Sequence, residues 1–348
     1  MMNEPLKIGN VTVKNRIAIP PMVCFYRAGE DGKVSDFHID HYRQLAEGGA
    51  GLIIVEATAI TARSRLHETE LGLWDDSQIG GFRRITDVIH QNGAKTFIQL
   101  VHAGGNGIDP EADAPSTMDY CEGIRGIEMS PETIRKAIDD FVSASLRAKK
   151  AGFDGVEIHG CHGYLVSCFF SRTRNLRADR WGQDRSLLAR QILTAVRKAC
   201  GEDFVVGIRL GAFEPELADG LANAKAIADV TDFLDISYGT DSQAEKPELF
   251  PCSFAVYGAM KIKESLPGMP VFGVHNINNA EDVENALATG IDMVDIGHAS
   301  LVDPGFPGHV LAGEPAGRCL HCKGYCRWNP PTMADPEAKC PGAILWNK

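Results

Sequence analysis

The sequence predicts an α/β fold, a (β/α)8 TIM barrel with an N-terminal hairpin and a short cysteine-rich C-terminal tail, on three observations. A unit of helix, glycine and short apolar strand recurs: Gly48-Gly49-Ala50-Gly51 precedes Leu52-Ile53-Ile54-Val55, Ala151-Gly152-Phe153-Asp154 precedes Val156-Glu157-Ile158, and Thr289-Gly290-Ile291-Asp292 precedes Met293-Val294-Asp295-Ile296. Eight such strands fall within roughly 300 residues, the count and length of a βα barrel. The Gly-x-Gly-x-x-Gly turn expected of the competing doubly wound sheet occurs nowhere, nor does the phosphate-cradling Gly-x-x-x-x-Gly-Lys-[Ser/Thr].

Taken in order, residues 6–14 alternate in polarity and turn at Gly9-Asn10, which predicts a hairpin plugging the barrel bottom. The strands are expected near Arg16–Pro20, Leu52–Ala57, Lys95–Leu100, Gly155–Ile158, Phe204–Leu210, Phe233–Ile236, Val271–Val274 and Met293–Ile296. They are short, continuous and β-branched, as strands buried on both faces of a parallel sheet must be. The segments between them have helical period. Ser130 to Lys150, with Pro131 just inside its start, is an example. Glycine after each helix supplies a left-handed cap. Residues 103–130 are rich in Gly, Pro and Asp and predict a long loop able to serve as a lid. The expected division is a barrel over residues 1–312 and a cysteine-bearing appendage over 313–348.

Composition narrows the function. Lys plus Arg number 35 and Asp plus Glu 46, a formal net charge of −11, which argues against a nucleic-acid or anionic-membrane binder. No apolar run approaches the ~20 residues that span a bilayer. The opening Met1-Met2-Asn3-Glu4-Pro5 lacks a secretory pattern, so a cytoplasmic enzyme of small molecules is expected. A homo-oligomer is compatible with this composition.

In a βα barrel the working groups lie where strands end. Those positions hold Pro21, Met22, Val23 and Cys24 after strand 1, Glu56 and Ala57 after strand 2, Gln99 and His102 at strand 3, and His159, Cys161, His162 and Tyr164 at strand 4. Arg209 lies on strand 5, Gly273 and His275 at strand 7, and Gly297 and His298 after strand 8. The glycines after strands 7 and 8 stand where barrels commonly bind phosphate, although each also serves simply to end a strand. Gln99 offers an amide donor and acceptor to a flat heterocycle. Arg209 suits negative charge on a ring, or a barrel carboxylate. His159 and His162 can donate together to an oxygen that gains charge, and Tyr164 can supply a proton. Two rivals remain: a zinc site of the histidines with Cys161, which lacks the spacing of the helical zinc motif, and a structural histidine pair. The tail reads Cys319-x2-Cys322-x3-Cys326-x13-Cys340, a spacing that can close around a [4Fe–4S] cluster or, less readily, a zinc ion.

The pattern resembles the old yellow enzyme family of FMN oxidoreductases over nearly the whole chain. The residues that carry the likeness are Leu6-Lys7-Ile8-Gly9, Lys14-Asn15-Arg16, Pro20-Pro21-Met22, Gly51-Leu52-Ile53-Ile54-Val55-Glu56, Gln99-Leu100-Val101-His102-Ala103-Gly104, His159-Gly160-Cys161-His162-Gly163-Tyr164-Leu165 and Arg177-Ala178-Asp179-Arg180-Trp181-Gly182. With its cysteine tail the chain is most similar to the catalytic barrel of the 2,4-dienoyl-CoA reductase and trimethylamine dehydrogenase branch. The resemblance implies FMN at the barrel mouth. Pro21, Met22, Ala57, Gln99 and Arg209 would meet its ring, and Gly273, Gly297 and His298 its phosphate. His159 and His162 would grip a substrate carbonyl, Tyr164 would donate the proton, and the tail would bind [4Fe–4S]. Departures stand at Gly297-His298, where the family has Gly-Arg, at Gly104-Gly105, where it has Gly-Arg, and at Val23-Cys24, where the redox-tuning residue comes one position late. The longest relatives continue into FAD- and NADH-binding domains. Here eight residues follow Cys340, so the electrons are expected from NAD(P)H directly or from an electron-transfer protein partner through the cluster.

The expected activity is reduction of an activated C=C bond in an enone or enoyl thioester. The rivals are oxidative demethylation of an amine, a zinc-dependent hydrolase and a non-catalytic electron-transfer subunit.

Overall fold

The computed structural model describes residues 1–322, 326–335 and 337–347. Eight parallel strands close into a barrel: β1 (Ile17–Ile19), β2 (Leu52–Ala59), β3 (Lys95–Val101), β4 (Gly155–Gly160), β5 (Val205–Gly211), β6 (Leu234–Ser237), β7 (Val271–Val274) and β8 (Met293–Asp295). Closure is made where Val294 of β8 pairs with Ile17 of β1. Around it run α1 (Asp36–Glu47), α2 (Ile79–Gln91), α3 (Pro131–Ala151), α4 (Leu187–Cys200), α5 (Leu217–Ile227), α6 (Phe254–Ser265), α7 (Ala280–Ala288), α8 (His298–Val302) and α9 (Phe306–Ala312). The predicted fold class is borne out, and with it the choice against the doubly wound sheet.

The hairpin pairs Leu6–Ile8 with Val11–Val13, antiparallel, and turns at Gly9 with φ +54°. Ile8, Val11 and Val13 pack against Leu52, Phe97, Val205, Phe233, Phe272 and Met293, the inward residues at the strand starts, and so plug the barrel bottom. A second, larger apolar cluster fills the space between the barrel and its helices. Strands and helices are held there by Val, Ile, Leu and Phe on their outward faces, which is why the strand sequences run apolar without alternation.

The 103–130 segment differs from the expected loop. Glu111–Ala114, Met118–Cys121 and Ile124–Glu128 form a three-stranded sheet. Gly123, at φ +81°, makes the tight turn between the last two strands. Strand signals there were masked by the turn-forming residues on either side.

Candidate active site

Inward residues alternate along the strands, so the apolar floor gives way two residues later to a polar layer. Phe97 is followed by Gln99, Phe233 by Asp235 and Met293 by Asp295, and Glu157 of β4 and Arg209 of β5 join them. Register places Gln99 opposite Glu157, and Arg209 opposite Asp235 on one side and His159 on the other. Gln99 Nε2 donates to Glu157 Oε1 at 2.7 Å. Arg209 Nε lies 3.2 Å from Asp235 Oδ2. Burial and the neighbouring Asp235 push the carboxyls of Glu157 and Asp295 well above the ordinary range. Burial opposes the charge on Arg209, but Asp235, Cys161, Glu157 and Asp295 outweigh it and hold the guanidinium protonated.

Above this layer opens a cleft of about 830 Å³, counting its solvent-filled mouth. Pro20, Pro21 and Met22 come from the end of β1, Arg209 from β5, Ser237 and Tyr238 from β6, Val274–Asn278 from β7, and Asp295, Gly297 and His298 from β8. His162 enters from β4, and His321 comes from the tail. Of the residues expected to hold a cofactor, Pro21, Met22, Arg209, His275, Gly297 and His298 therefore line the cleft. Gln99 lies in the layer beneath it. Gly273 sits within β7 with its missing Cβ directed at Ile291 Cδ1, 2.8 Å away, so there it makes room for the helix layer. Gly297 faces the cleft side: a Cβ on it would come within 3.2 Å of Met22 Sδ. Ala57 is buried in β2, Val23 is half-buried, and Cys24 is buried with its N–H donated to Glu56 Oε2 at 2.7 Å.

The turn after β4 brings the three expected catalytic residues together. His162 and Gly163 take φ of +61° and +76°, and Asn106 Nδ2 braces the turn by donating to Gly163 O at 3.0 Å. The His159 ring centroid is then 5.1 Å from that of His162 and 4.6 Å from that of Tyr164. His162 Nε2 is 2.8 Å from Ser237 Oγ, which leaves its Nδ1 for a ligand. Burial, followed by His162 and Arg209, holds the His159 imidazole far below its ordinary range, so it is neutral. Burial, followed by Glu70 and Cys161, raises the Tyr164 phenol, so it keeps its proton.

Sequence reasoning missed Ser237, Tyr238 and Asn278 on the cleft wall, and the carboxylates Glu157, Asp235 and Asp295 beneath it. The signal was a charged residue inside each otherwise apolar strand. Asn276 follows His275 with both in the left-handed region, φ +57° and +92°. His321 gave no signal, because its place in the cleft depends on how the tail docks. Its Nε2 lies 3.5 Å from Asn278 Nδ2.

In the tail all four cysteines are free thiols. Burial raises the Cys319 thiol, and Cys326, Cys340 and Cys322 are near enough to raise it further. Among the described residues, no three of these sulfurs lie within 4.8 Å of one another. Four sulfurs on one zinc would stand about 3.8 Å apart, given Zn–S bonds of about 2.3 Å. The tail docks on the barrel through Gly317 N–H donating to Asp303 Oδ2 at 2.9 Å and through Trp328 against His41, with ring centroids 5.5 Å apart.

Both Asp295 oxygens are buried polar atoms on the cleft floor with no hydrogen-bond partner, and Arg209 Nε has only its ion pair with Asp235. Buried polar groups are ordinarily paired, so these are open to a polar partner from the cleft. A flavin mononucleotide, polar at its ring edge and anionic at its phosphate, fits a lining that offers a guanidinium, a carboxyl and several imidazoles.

Comparison with known proteins agrees. Residues 2–316 match the NADH:flavin oxidoreductase / NADH oxidase family. The chain is 36% identical over 310 residues to a curated NADPH dehydrogenase of Listeria innocua, covering 86% of this chain and 91% of that one. It superposes on a 2-naphthoyl-CoA reductase in complex with 2-naphthoyl-CoA with TM-score 0.84 and 25% identity, covering 96% of this chain but only 58% of that longer one. It superposes on the old yellow enzyme homologue from Zymomonas mobilis with TM-score 0.76 and 25% identity, over 92% of this chain and 95% of that one. The chain belongs to the NADH:flavin oxidoreductase / NADH oxidase family and is an FMN-dependent NAD(P)H oxidoreductase.

Proposed function

We propose that the protein reduces an activated C=C bond conjugated to a carbonyl, in an enone or an enoyl thioester. The observation that supports this is the grouping of two imidazoles, His159 and His162, beside the protonated phenol of Tyr164. FMN bound in this cleft would supply the hydride chemistry, with NAD(P)H as the source of electrons. Arg209, Met22 and Pro21 would hold its ring side, Asp295 its polyol, and His275 with His298 its phosphate. His159 and His162 direct N–H groups at the carbonyl oxygen and stabilise the charge it gains; placed in advance, they need no reorganisation. The neutrality of His159 means that it acts as a hydrogen-bond donor and not as an acid. Tyr164, whose proton is held firmly, delivers it to the carbon next to the carbonyl. The likeness to a protein that binds an aryl thioester points the same way.

The tail, residues 313–348, is proposed as a metal-binding appendage. The wide spacing of its four thiols suits a [4Fe–4S] cluster better than a single zinc ion, and such a cluster would open a route to an electron-transfer partner. Ten free thiols, four of them grouped as ligands, suit the reducing cytoplasm.

Two measurements test the reading. The visible spectrum of anaerobically purified protein should show flavin bands with a broad iron–sulfur shoulder; a colourless protein that refuses added FMN overturns it. In rapid mixing, Tyr164→Phe should leave flavin reduction by NADPH intact and slow reoxidation by cyclohexenone roughly 100-fold or more. An unchanged reoxidation rate removes Tyr164 from the chemistry. Trimethylamine as reductant should give no flavin bleaching.

A further inference from the structure

The same turn that assembles the imidazole pair also places a thiol that the reduction does not use. Cys161, between the two histidines, is fully buried and stands 3.8 Å from His159 Nδ1 through its Sγ. One nitrogen of each imidazole and this sulfur all lie within 4.8 Å of one another, and among the described residues no other trio of His, Cys, Asp or Glu converges so closely. A tetrahedral ion with bonds of about 2.3 Å to sulfur and about 2.0–2.1 Å to nitrogen needs these atoms roughly 3.5 Å apart. The Cys161–His159 edge is therefore within a few tenths of an ångström of ligand geometry before any ion arrives. Two borderline nitrogens and one soft sulfur select zinc or cadmium over magnesium or calcium. The trio opens only through His162, which lines the cleft. A fourth ligand would be a water from that side.

We propose that His159, Cys161 and His162 form an inhibitory binding site for a thiophilic divalent cation, Zn²⁺ or Cd²⁺, which occupies the substrate-gripping imidazoles when no substrate is bound. On binding, the Cys161 S–H bond breaks, the metal–sulfur bond forms and the proton leaves to solvent, with no change of oxidation state. The metal then takes the His162 nitrogen that Ser237 leaves free, so His162 can no longer donate to a carbonyl oxygen. The binding half of this inference is independent of the function proposed above, and the blocking half rests on it.

The test uses the flavin-loaded full chain, titrated with Zn²⁺ in a calorimeter and with Cd²⁺ by ultraviolet difference absorption, in wild type, Cys161→Ser, Cys161→Ala and His162→Ala. The tail thiols are common to all four proteins, and so are subtracted. Wild type should bind one more equivalent than either Cys161 variant, with a thiolate-to-cadmium band that both variants lack. His162→Ala should weaken that equivalent by about 100-fold or more. Retained flavin absorbance shows that each variant is folded, and two replacements at Cys161 guard against one failing. Equal stoichiometry and equal bands in wild type and both Cys161 variants overturn the site. Zn²⁺ should also stop reoxidation by cyclohexenone in wild type and spare Cys161→Ser. A Cys161-dependent equivalent that leaves enone reoxidation untouched upholds the metal site and overturns the carbonyl grip of His159 and His162 instead.

Discussion

Glu56 illustrates how a single residue takes its character from its surroundings. The register of β2 against β3 slips between Val55 and Thr58, and Glu56 lies in that irregularity. Its carboxylate accepts from Cys24 N–H at 2.7 Å and from Tyr42 Oη–H at 3.2 Å, and so ties the Pro21–Cys24 segment of the cleft wall to α1. Its ionisable neighbour His38, 3.8 Å away, is itself held neutral by burial, His41 and Arg27, with a pKa of about 3. Desolvation therefore prevails over the hydrogen bonds and raises the Glu56 pKa from 4.5 to about 7. Because the folded pKa is the higher one, unfolding releases a proton between about pH 4.5 and 7. The contribution of this group to stability is then greatest at the acid end and falls by about 3 kcal/mol as pH rises through that window. Urea unfolding of wild type and Glu56→Gln across that range should show the wild-type advantage shrinking by this amount. Parallel profiles would mean that Glu56 is ionised in the fold. Of the site residues, those legible in the sequence were the ones that end strands. Glu157, Asp235 and Asp295 were passed over because a charge inside an apolar strand has no meaning until the opposite face is known to be a barrel interior.

At the scale of the element, α3 formed almost where its sequence places it, over Pro131–Ala151 against an expected Ser130 to Lys150. Ser130 Oγ accepts from Thr133 N–H at 3.1 Å, Pro131 needs no partner at the first position, and Gly152 ends the helix at φ +98°. These are local devices, and local devices are what a sequence displays. Ser130→Ala should cost about 1 kcal/mol by chemical denaturation, because a first-turn N–H loses its acceptor, and should leave the flavin spectrum unchanged. A loss below about 0.3 kcal/mol would show that Thr133 or water replaces the cap. The sheet within residues 111–128 was illegible for the opposite reason. Its strands are four or five residues long and only about half apolar, and are held by register with one another and by packing on the Leu165–Phe170 helix.

For the whole molecule, the hairpin and the barrel floor meet in an apolar cluster of their own. Phe233 stacks between Phe97 and Phe272, with ring centroids 5.3 Å and 4.8 Å away, and lies over Gly207, whose absent Cβ would fall 2.0 Å from its ring. Phe233→Ala should lower the unfolding free energy by about 3–5 kcal/mol while the cleft above still accepts FMN. A cost under about 1 kcal/mol would mean that the plug collapses into the gap. The sequence by itself determined the barrel, its eight strands, the plug, and the positions at which chemistry had to appear, since strand periodicity, glycine caps and strand ends are written within a few consecutive residues. Only the tertiary structure decided which of those positions reach the cleft, that Gly273 faces the helices while Gly297 faces the opening, and that His321 of the tail joins the wall. Those outcomes depend on strand register and on the docking of segments hundreds of residues apart, where the energy of a contact is shared between residues that no local pattern connects.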